Sequence, residues 1–402
     1  MKILIWTQYF WPENFRINAL AKTLQKKGIE VTVLTGKPNY PQGDIYPGYT
    51  ANGITYDTYH DIEVIRIPLA PRGQGSPTQL FKNYISFIVS GYTRAPFALK
   101  GRHFDAVLVY APSPLLQALP AILVAYLKKA SLAVWVQDIW PDSLESTGFI
   151  KNRFLLGIVS LMVRYIYRFS DLLLIPSESF RALIERHVSK KEKIKFFPNA
   201  VDKDALLNNL KVEVADELKE RFSVVFAGNI GIAQSCETIL AAAHILRNNH
   251  DICIYLVGSG SQAEKIGRRI ALEGLTNIKM LGRFESQDMP QLYAAASALL
   301  LTLRDEEVFA ATVPSKLQSY FAAGKPLVAS AKGETSRIVA ESQAGLTCPP
   351  EDPEALASAI IQIYEMDDLE HRQLGENGRN YFEAHYDLNM SVEKLLSYLE
   401  QH

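Results

Sequence analysis

A chain of 402 residues, 48% apolar and 21% charged, exceeds what one hydrophobic core usually serves and has an ordinary globular composition, which excludes a disordered protein and predicts two domains. Its formal net charge of −1 removes the whole-protein electrostatic case for nucleic acid. Three cysteines, Cys236, Cys253 and Cys348, without a C-x-x-C pair, exclude a disulfide framework or a zinc-binding spacing and fit a reducing compartment.

In chain order, Lys2 to Thr7 reads as a buried strand and Ile17 to Lys27 as an amphipathic helix closed by Gly28. Strands follow over Glu30–Thr35, Glu63–Pro68, Ala106–Tyr110, Leu132–Gln137, Leu172–Pro176 and Ile194–Phe197. A second series begins at Ser223–Ala227 and continues over Ile252–Val257, Ile278–Leu281, Ala298–Leu303, Pro326–Ala329 and Leu346–Cys348. Helices fall between these at Glu237–Asn248, Gln262–Glu273, Pro290–Ala296, Ser315–Ala323 and Pro353–Met366. Continuous Val/Ile/Leu runs alternating with helices mark parallel strands buried on both faces. The predicted fold class is α/β: two Rossmann-like, doubly wound domains facing a cleft. The first spans 1–203 plus 385–402 and the second 204–384, with the polar stretch 202–221 as the boundary. The first apolar stretch is too short for a signal peptide, and the run Pro114–Leu127 is too short to span a bilayer, so a cytoplasmic chain is expected.

Ligands of such sheets sit beyond the carboxyl ends of the strands. After the first strand stands Gln8-Tyr9-Phe10-Trp11-Pro12-Glu13-Asn14-Phe15-Arg16, rich in aromatic and polar side chains, with a helix expected to begin near Asn18. After Leu132–Gln137 comes Asp138, a carboxylate placed to orient a hydroxyl or act as a base, whereas Asp142 and Ser143 read as helix caps, as do Ser177 and Ser179. In the second half, Gly228-Asn229-Ile230-Gly231-Ile232-Ala233-Gln234 and Gly258-Ser259-Gly260 are strand-to-helix turns where a backbone can approach a phosphate. Thr312-Val313-Pro314-Ser315-Lys316 opens a helix that Gly324 closes. A lysine in a first turn opposes the helix dipole, and a diphosphate would compensate it. No D-x-D cluster stands at a strand end: Asp57-Thr58 and Asp61 do not form one, and no metal ligand is expected.

The segments KILIWTQYFWPENFRIN, EVTVLTGKPNYPQG, VWVQDIWPDSLE, FFPNAVD, VVFAGNIG, YLVGSGSQ, MLGRF, LYAAASALLLTL and VPSKLQSYFAAGKPLVAS, in this order, resemble the family 4 retaining glycosyltransferases of the GT-B fold, and within them transferases of colanic acid, O antigen and capsule assembly. The resemblance implies a nucleotide-sugar donor, by family prevalence UDP-linked and carrying an N-acetylated hexosamine or deoxyhexosamine, held by the C-terminal domain, with no cofactor. On that resemblance Gly228, Asn229, Gly231 and Gln234 form the first donor loop. Gly258 and Gly260 accommodate the base and ribose, and Val313, Pro314, Ser315 and Lys316 meet the diphosphate, with Arg283 and Arg304 as further cations. The acceptor, a glycan or a polyprenyl-diphosphate-linked sugar, is implied on the N-terminal domain, where Tyr9, Glu13, Asn14, Arg16 and Asp138 are the candidate contacts. Asp138, Glu13 and Lys316 are the candidate catalytic residues.

The chain departs from the family pattern at three places. The paired glutamates fall on Ala311 and Ser319, the arginine and lysine of the first donor loop are replaced near Asn229 and Gln234, and the N-terminal glycine pair is replaced around Phe15 and Arg16. Glu306 and Glu307 lie near the vacated positions. The stretch 151–168 mixes Lys151, Arg153, Arg164 and Arg168 with large apolar residues, a pattern expected of peripheral contact with the inner membrane. Two rival readings share the architecture: a nucleotide-sugar 2-epimerase, and a non-catalytic two-domain binding protein.

Overall fold

The computed structural model describes residues 1–74, 76–146, 152–202, 214–285, 287–311 and 313–401. Lys151, Thr312 and the expected boundary at 203–204 lie outside the described residues. The chain divides into two compact units, the first Met1–Asn199 with Ser391–His402, the second Ala200–Met390.

The first unit is built on an eight-stranded sheet: β1 (Lys2–Trp6), β2 (Glu30–Thr35), β3 (Thr55–Tyr59), β4 (Ile62–Arg66), β5 (Ala106–Ala111), β6 (Ser131–Val136), β7 (Leu172–Ile175) and β8 (Ile194–Phe196). Their order is β3-β4-β2-β1-β5-β6-β7-β8, and every pairing is parallel except β3 with β4. The apolar runs predicted as strands are buried on both faces because helices cover each side; β5 has no exposed residue along its length. Strand β4 was expected as Glu63–Pro68, but its hairpin partner β3 escapes the sequence reading. That strand, Thr55-Tyr-Asp-Thr-Tyr, alternates half-buried and exposed residues, and the turn sets His60 and Asp61 at φ 47° and 63°, a left-handed pair suited to a tight hairpin.

The second unit carries a six-stranded, wholly parallel sheet: β9 (Phe222–Ala227), β10 (Ile252–Val257), β11 (Ile278–Gly282), β12 (Ala298–Thr302), β13 (Leu327–Ser330) and β14 (Gly345–Cys348), in the order β11-β10-β9-β12-β13-β14. In each sheet the strand order reverses beside the first strand, between β1 and β5 and between β9 and β12. The loops leaving β1 and β9 therefore flank the two switch points, where doubly wound sheets open a ligand crevice.

Several helices are set by local chemistry. Pro77–Ala98 begins at a capping box in which Ser76 and Gln79 exchange hydrogen bonds. Asn152 caps Arg153–Phe169 by accepting from the amides of Phe154 and Leu155. The Arg16–Lys26 helix starts two residues before Asn18, on an extended Phe15 without a side-chain cap. Asn18 instead spans the preceding loop, donating to Glu13 O and accepting from Trp11 N. The last helix, Leu388–Leu399, ends the chain in the first unit: Glu393 pairs with Lys27 at 2.6 Å, and Lys394 lies over the Phe196 ring.

Candidate functional site

In the second unit the glycine turns after β9 and β10 are zipped together. Gly228 N donates to Val257 O, Ile230 N to Ser259 O, and Gln262 N to Ile230 O. The approach is so close that a Cβ on Gly258, whose φ is 138°, would lie 1.8 Å from Gly228 O. Only glycine permits both that conformation and that contact. A Cβ on Gly260 would likewise meet Asn229 Oδ1 and Ile230 O, each at 2.5 Å. Tyr320, fully buried on the Ser315–Ala323 helix, fixes the end of β9: its hydroxyl accepts from Ala227 N at 2.9 Å and lies 3.2 Å from Ala227 O.

Lys316 stands in the first turn of that same helix. Its Nζ is buried and has no hydrogen-bond partner among the described residues, and it sits 3.9 Å from the centroid of the Phe226 ring. It lies 3.2 Å from where a Gly228 Cβ would be. Burial pushes the ammonium down to about 8, against a smaller upward pull from Cys236. The N-terminus of a nine-residue helix, a cation with no counter-ion among the described residues and a glycine turn thus converge on one place. Such an arrangement can bind an oxyanion.

Two cavities flank it. One, of about 330 Å³, is lined by Gly228, Asn229, Gly258, Ser259, Arg283 and Tyr293 among others. The second, of about 300 Å³, includes Gly231, Ser235, Cys236, Lys265, Arg304 and Glu351. Arg283 enters no ion pair among the described residues, whereas Arg304 is held by Glu306 at 3.0 Å and by Glu351 at 3.6 Å. Gln234 is 3.5 Å from Asn229 across the loop, Val313 and Ser319 are half-buried, and Ser315 is exposed. Pro314, extended at φ −61° and ψ 136°, leads into the helix. Among the described residues no group of three His, Cys, Asp or Glu side chains could hold a metal ion.

In the first unit the loop leaving β1 is pinned from inside. Glu13 is buried, and its carboxylate accepts from three backbone amides: Asn39 at 2.8 Å, Tyr40 at 2.7 Å and Phe10 at 3.2 Å. Burial pushes this carboxyl up to about 7 against the pull of those amides and of Arg66. Arg66, also buried, pairs with Asp57 and donates to the carbonyls of Gly36 and Trp11. Buried Lys37 donates to Thr55 Oγ1 at 2.7 Å. Strand β3, which the sequence reading missed, therefore supplies Asp57 and Thr55, the partners that hold Arg66 and Lys37 beneath the loop it singled out.

On this frame Tyr9, Phe15 and Tyr40 form an aromatic cluster, with Tyr9 and Phe15 stacked at 5.1 Å between centroids. Arg72, absent from the sequence reading, donates to Tyr9 Oη at 2.5 Å. Asn14 is exposed, and Arg16 is half-buried at the start of its helix. Asp138 stands apart, half-buried after β6, with Oδ2 accepting from the Trp140 indole at 2.9 Å. No hydrogen bond or ion pair joins Asp138 to Glu13 among the described residues. The signals for the missed residues were faint: Tyr40 lay within the KPNYPQG segment and Tyr320 within SYFAAGKP, but a lone arginine in a turn carries no period or spacing.

Comparison with known proteins agrees with this geometry. Residues 14–200 match the family model "Glycosyl transferase 4-like domain" and residues 221–366 match "Glycosyl transferases group 1", together the larger part of the chain. WbjE of Pseudomonas aeruginosa, named as a glycosyltransferase, is 29% identical over 73% of this chain and 74% of its own. WcaI of Escherichia coli K12, named as a glycosyl transferase of colanic acid biosynthesis, is 26% identical over 90% of this chain and 92% of its own. The crystal structure of HepE of Anabaena in complex with UDP superposes with a TM-score of 0.72, at 15% identity, over 100% of each chain. The chain belongs to the GT-B glycosyltransferases that join a 4-like N-terminal domain to a group 1 C-terminal domain.

Proposed function

We propose that the chain is a metal-independent, retaining glycosyltransferase of bacterial surface-polysaccharide biosynthesis, acting at the cytoplasmic face of the membrane. It moves an N-acetylated hexosamine or deoxyhexosamine from a UDP-linked donor to a glycan or polyprenyl-diphosphate-linked acceptor. The observation that carries this reading is Lys316, a buried ammonium without a partner beside the Gly228 turn. Breaking the bond between the anomeric carbon and phosphate builds negative charge on the departing diphosphate, and a fixed cation in a low-dielectric site stabilises it. Colanic acid in the name of WcaI and UDP bound to HepE support the pathway and the donor.

In this reading Lys316 and the amides at Val313 and Ser315 take the diphosphate, beside the Gly228 turn. Asn229, Gly231 and Gln234 close over it. Gly258 and Arg283 border the nucleoside in the 330 Å³ cavity, Gly260 follows in the same turn, and Ser319 lies one helical turn beyond Lys316. On the acceptor side, Asp138 orients a hydroxyl, with its carboxylate steadied by Trp140. Tyr9, Asn14 and Arg16 border the acceptor, and Glu13 holds their loop in shape through its three amide contacts. Membrane contact is supported by the helices Pro77–Ala98 and Arg153–Phe169. They carry no acidic residue and expose Phe81, Val89, Phe154 and Leu161 beside Arg94, Arg164 and Arg168.

The test is thermal-shift binding of UDP, GDP and dTDP, each with excess EDTA, on the wild type and on Lys316→Ala. A ligand that binds only the folded chain raises its apparent stability. The expected result is a shift with UDP that survives EDTA and collapses in Lys316→Ala; no shift with any nucleotide at millimolar concentration overturns the donor site. Turnover of donor without an added acceptor would favour a 2-epimerase instead.

A further inference from the structure

Arg72 is a cation set among aromatic rings. Its guanidinium carbon lies 5.2 Å from the Tyr40 ring centroid, 5.8 Å from that of Tyr9 and 6.0 Å from that of Tyr84. Its side chain donates to Tyr9 Oη at 2.5 Å and hydrogen-bonds Tyr84, and no carboxylate pairs with it among the described residues. A guanidinium has five N–H donors, so most remain for a ligand. The group is also held in place from behind. Arg72 N donates to Asn39 Oδ1 at 3.1 Å, and Asn39 N donates in turn to Glu13 Oε1. Gly73 N donates to Gly43 O at 3.0 Å, so the two loops carrying Arg72 and Tyr40 are joined.

Beside this box runs an apolar track. Tyr84 belongs to the Pro77–Ala98 helix, whose exposed Phe81, Ile85, Val89 and Tyr92 recur at helical spacing along one side. From Phe81 to Tyr92 the track covers about 16 Å at the rise of an α-helix. A planar cation at one end of a strip of exposed apolar side chains is complementary to an amphipathic anion: a phosphate ester at the head and a hydrocarbon chain behind it.

We propose that Arg72, in its box of Tyr9, Tyr40 and Tyr84, binds the phosphate group of a prenyl-diphosphate-linked acceptor, whose chain lies along the Phe81–Tyr92 track. The inference rests on the glycosyltransferase reading above and deepens it, assigning the acceptor's anionic head to a residue distinct from the donor-side Lys316.

The test is calorimetric titration of the full chain, saturated with UDP so that the donor site is filled, with farnesyl diphosphate, farnesol and inorganic diphosphate. Wild type should bind farnesyl diphosphate at least about tenfold more tightly than either other probe, because a bidentate charge-assisted contact and apolar burial act together. Arg72→Gln should lower that affinity to the level of farnesol, Arg72→Lys should fall between, and farnesol binding should be equal in all three. Equal farnesyl diphosphate binding by wild type and Arg72→Gln overturns the proposal. So does wild-type binding of inorganic diphosphate as tight as that of the farnesyl ester, which would identify a free-phosphate site. Tyr40→Ala, at an exposed ring, gives a second reading should Arg72→Gln not fold, and it too should weaken farnesyl diphosphate selectively. UDP binding itself, read separately by thermal shift, reports failure of the underlying donor reading.

Discussion

Glu13 and Tyr40, 27 positions apart in sequence, are joined by a 2.7 Å hydrogen bond from the Tyr40 amide to Glu13 Oε1, and the same oxygen accepts from Asn39 at 2.8 Å. A carboxylate held by three backbone amides shapes its loop.

Glu13→Ala should therefore destabilise the first unit by about 3 kcal/mol, because buried amides lose charge-assisted partners. Urea unfolding measures this. UDP affinity should stay unchanged, since the proposed donor loops belong to the other unit. Loss of turnover in Glu13→Gln at unchanged stability would instead place Glu13 in the chemistry.

Lys316 makes nucleotide affinity depend on pH. The folded chain releases the Lys316 proton near pH 8, while an unperturbed lysine holds its proton to 10.5. A bound diphosphate favours the charged form, so binding takes up a proton above pH 8, and UDP affinity should fall about tenfold for each further pH unit. Titration calorimetry from pH 7 to 9.5 checks the slope, which should vanish in Lys316→Met.

The same lysine weakens the empty protein. Between pH 8 and 10.5 the unfolded chain binds more protons at this residue than the folded one, so the Lys316 contribution to stability rises with pH across that window. At pH 7 Lys316→Met should gain about 1–3 kcal/mol without nucleotide, since a buried unpaired charge is removed. A loss of stability on chemical denaturation would argue against the buried, partnerless ammonium.

Gly258→Ala should cost more than about 3 kcal/mol and abolish the UDP-induced thermal shift, because its methyl would overlap Gly228 O and its backbone is left-handed. Gly267→Ala, where a Cβ meets nothing within 4 Å on a neighbouring helix, is the matched control and should bind UDP normally.

Membrane contact predicts flotation with vesicles containing phosphatidylglycerol and none with pure phosphatidylcholine. The double variant Arg164→Glu, Arg168→Glu should stay in the soluble fraction, as should wild type at high salt. Equal flotation on both vesicle types would leave the apolar side chains alone responsible.

The parallel strands were legible because a strand buried on both faces writes itself as an unbroken apolar run, as in Ile252–Val257 and Ala298–Thr302. The hairpin strand Thr55–Tyr59 was not, since a half-exposed edge strand of tyrosine, threonine and aspartate has no hydrophobic signature. Lys316 stood out in sequence because a cation in a first helical turn violates a local rule. Glu13 also stood out, yet its chemistry was hidden: whether a carboxylate faces substrate or backbone depends on Asn39 and Tyr40, which only the fold brings to it. Arg72 was invisible for the same reason, since its tyrosines come from three separate segments.

The return of Ser391–His402 to the first unit makes the second unit an insertion rather than an appendage. A ribosome releases Ser391–Leu399 after the second unit, so the first unit stays incomplete, with Lys27 lacking Glu393, until the second unit has already been made and can fold. A premature stop near residue 390 would thus injure the first unit while leaving the second whole. Conversely, a gene fragment for 200–390 carries a continuous, self-contained domain, and the remaining halves need only a short splice between Asn199 and Ser391.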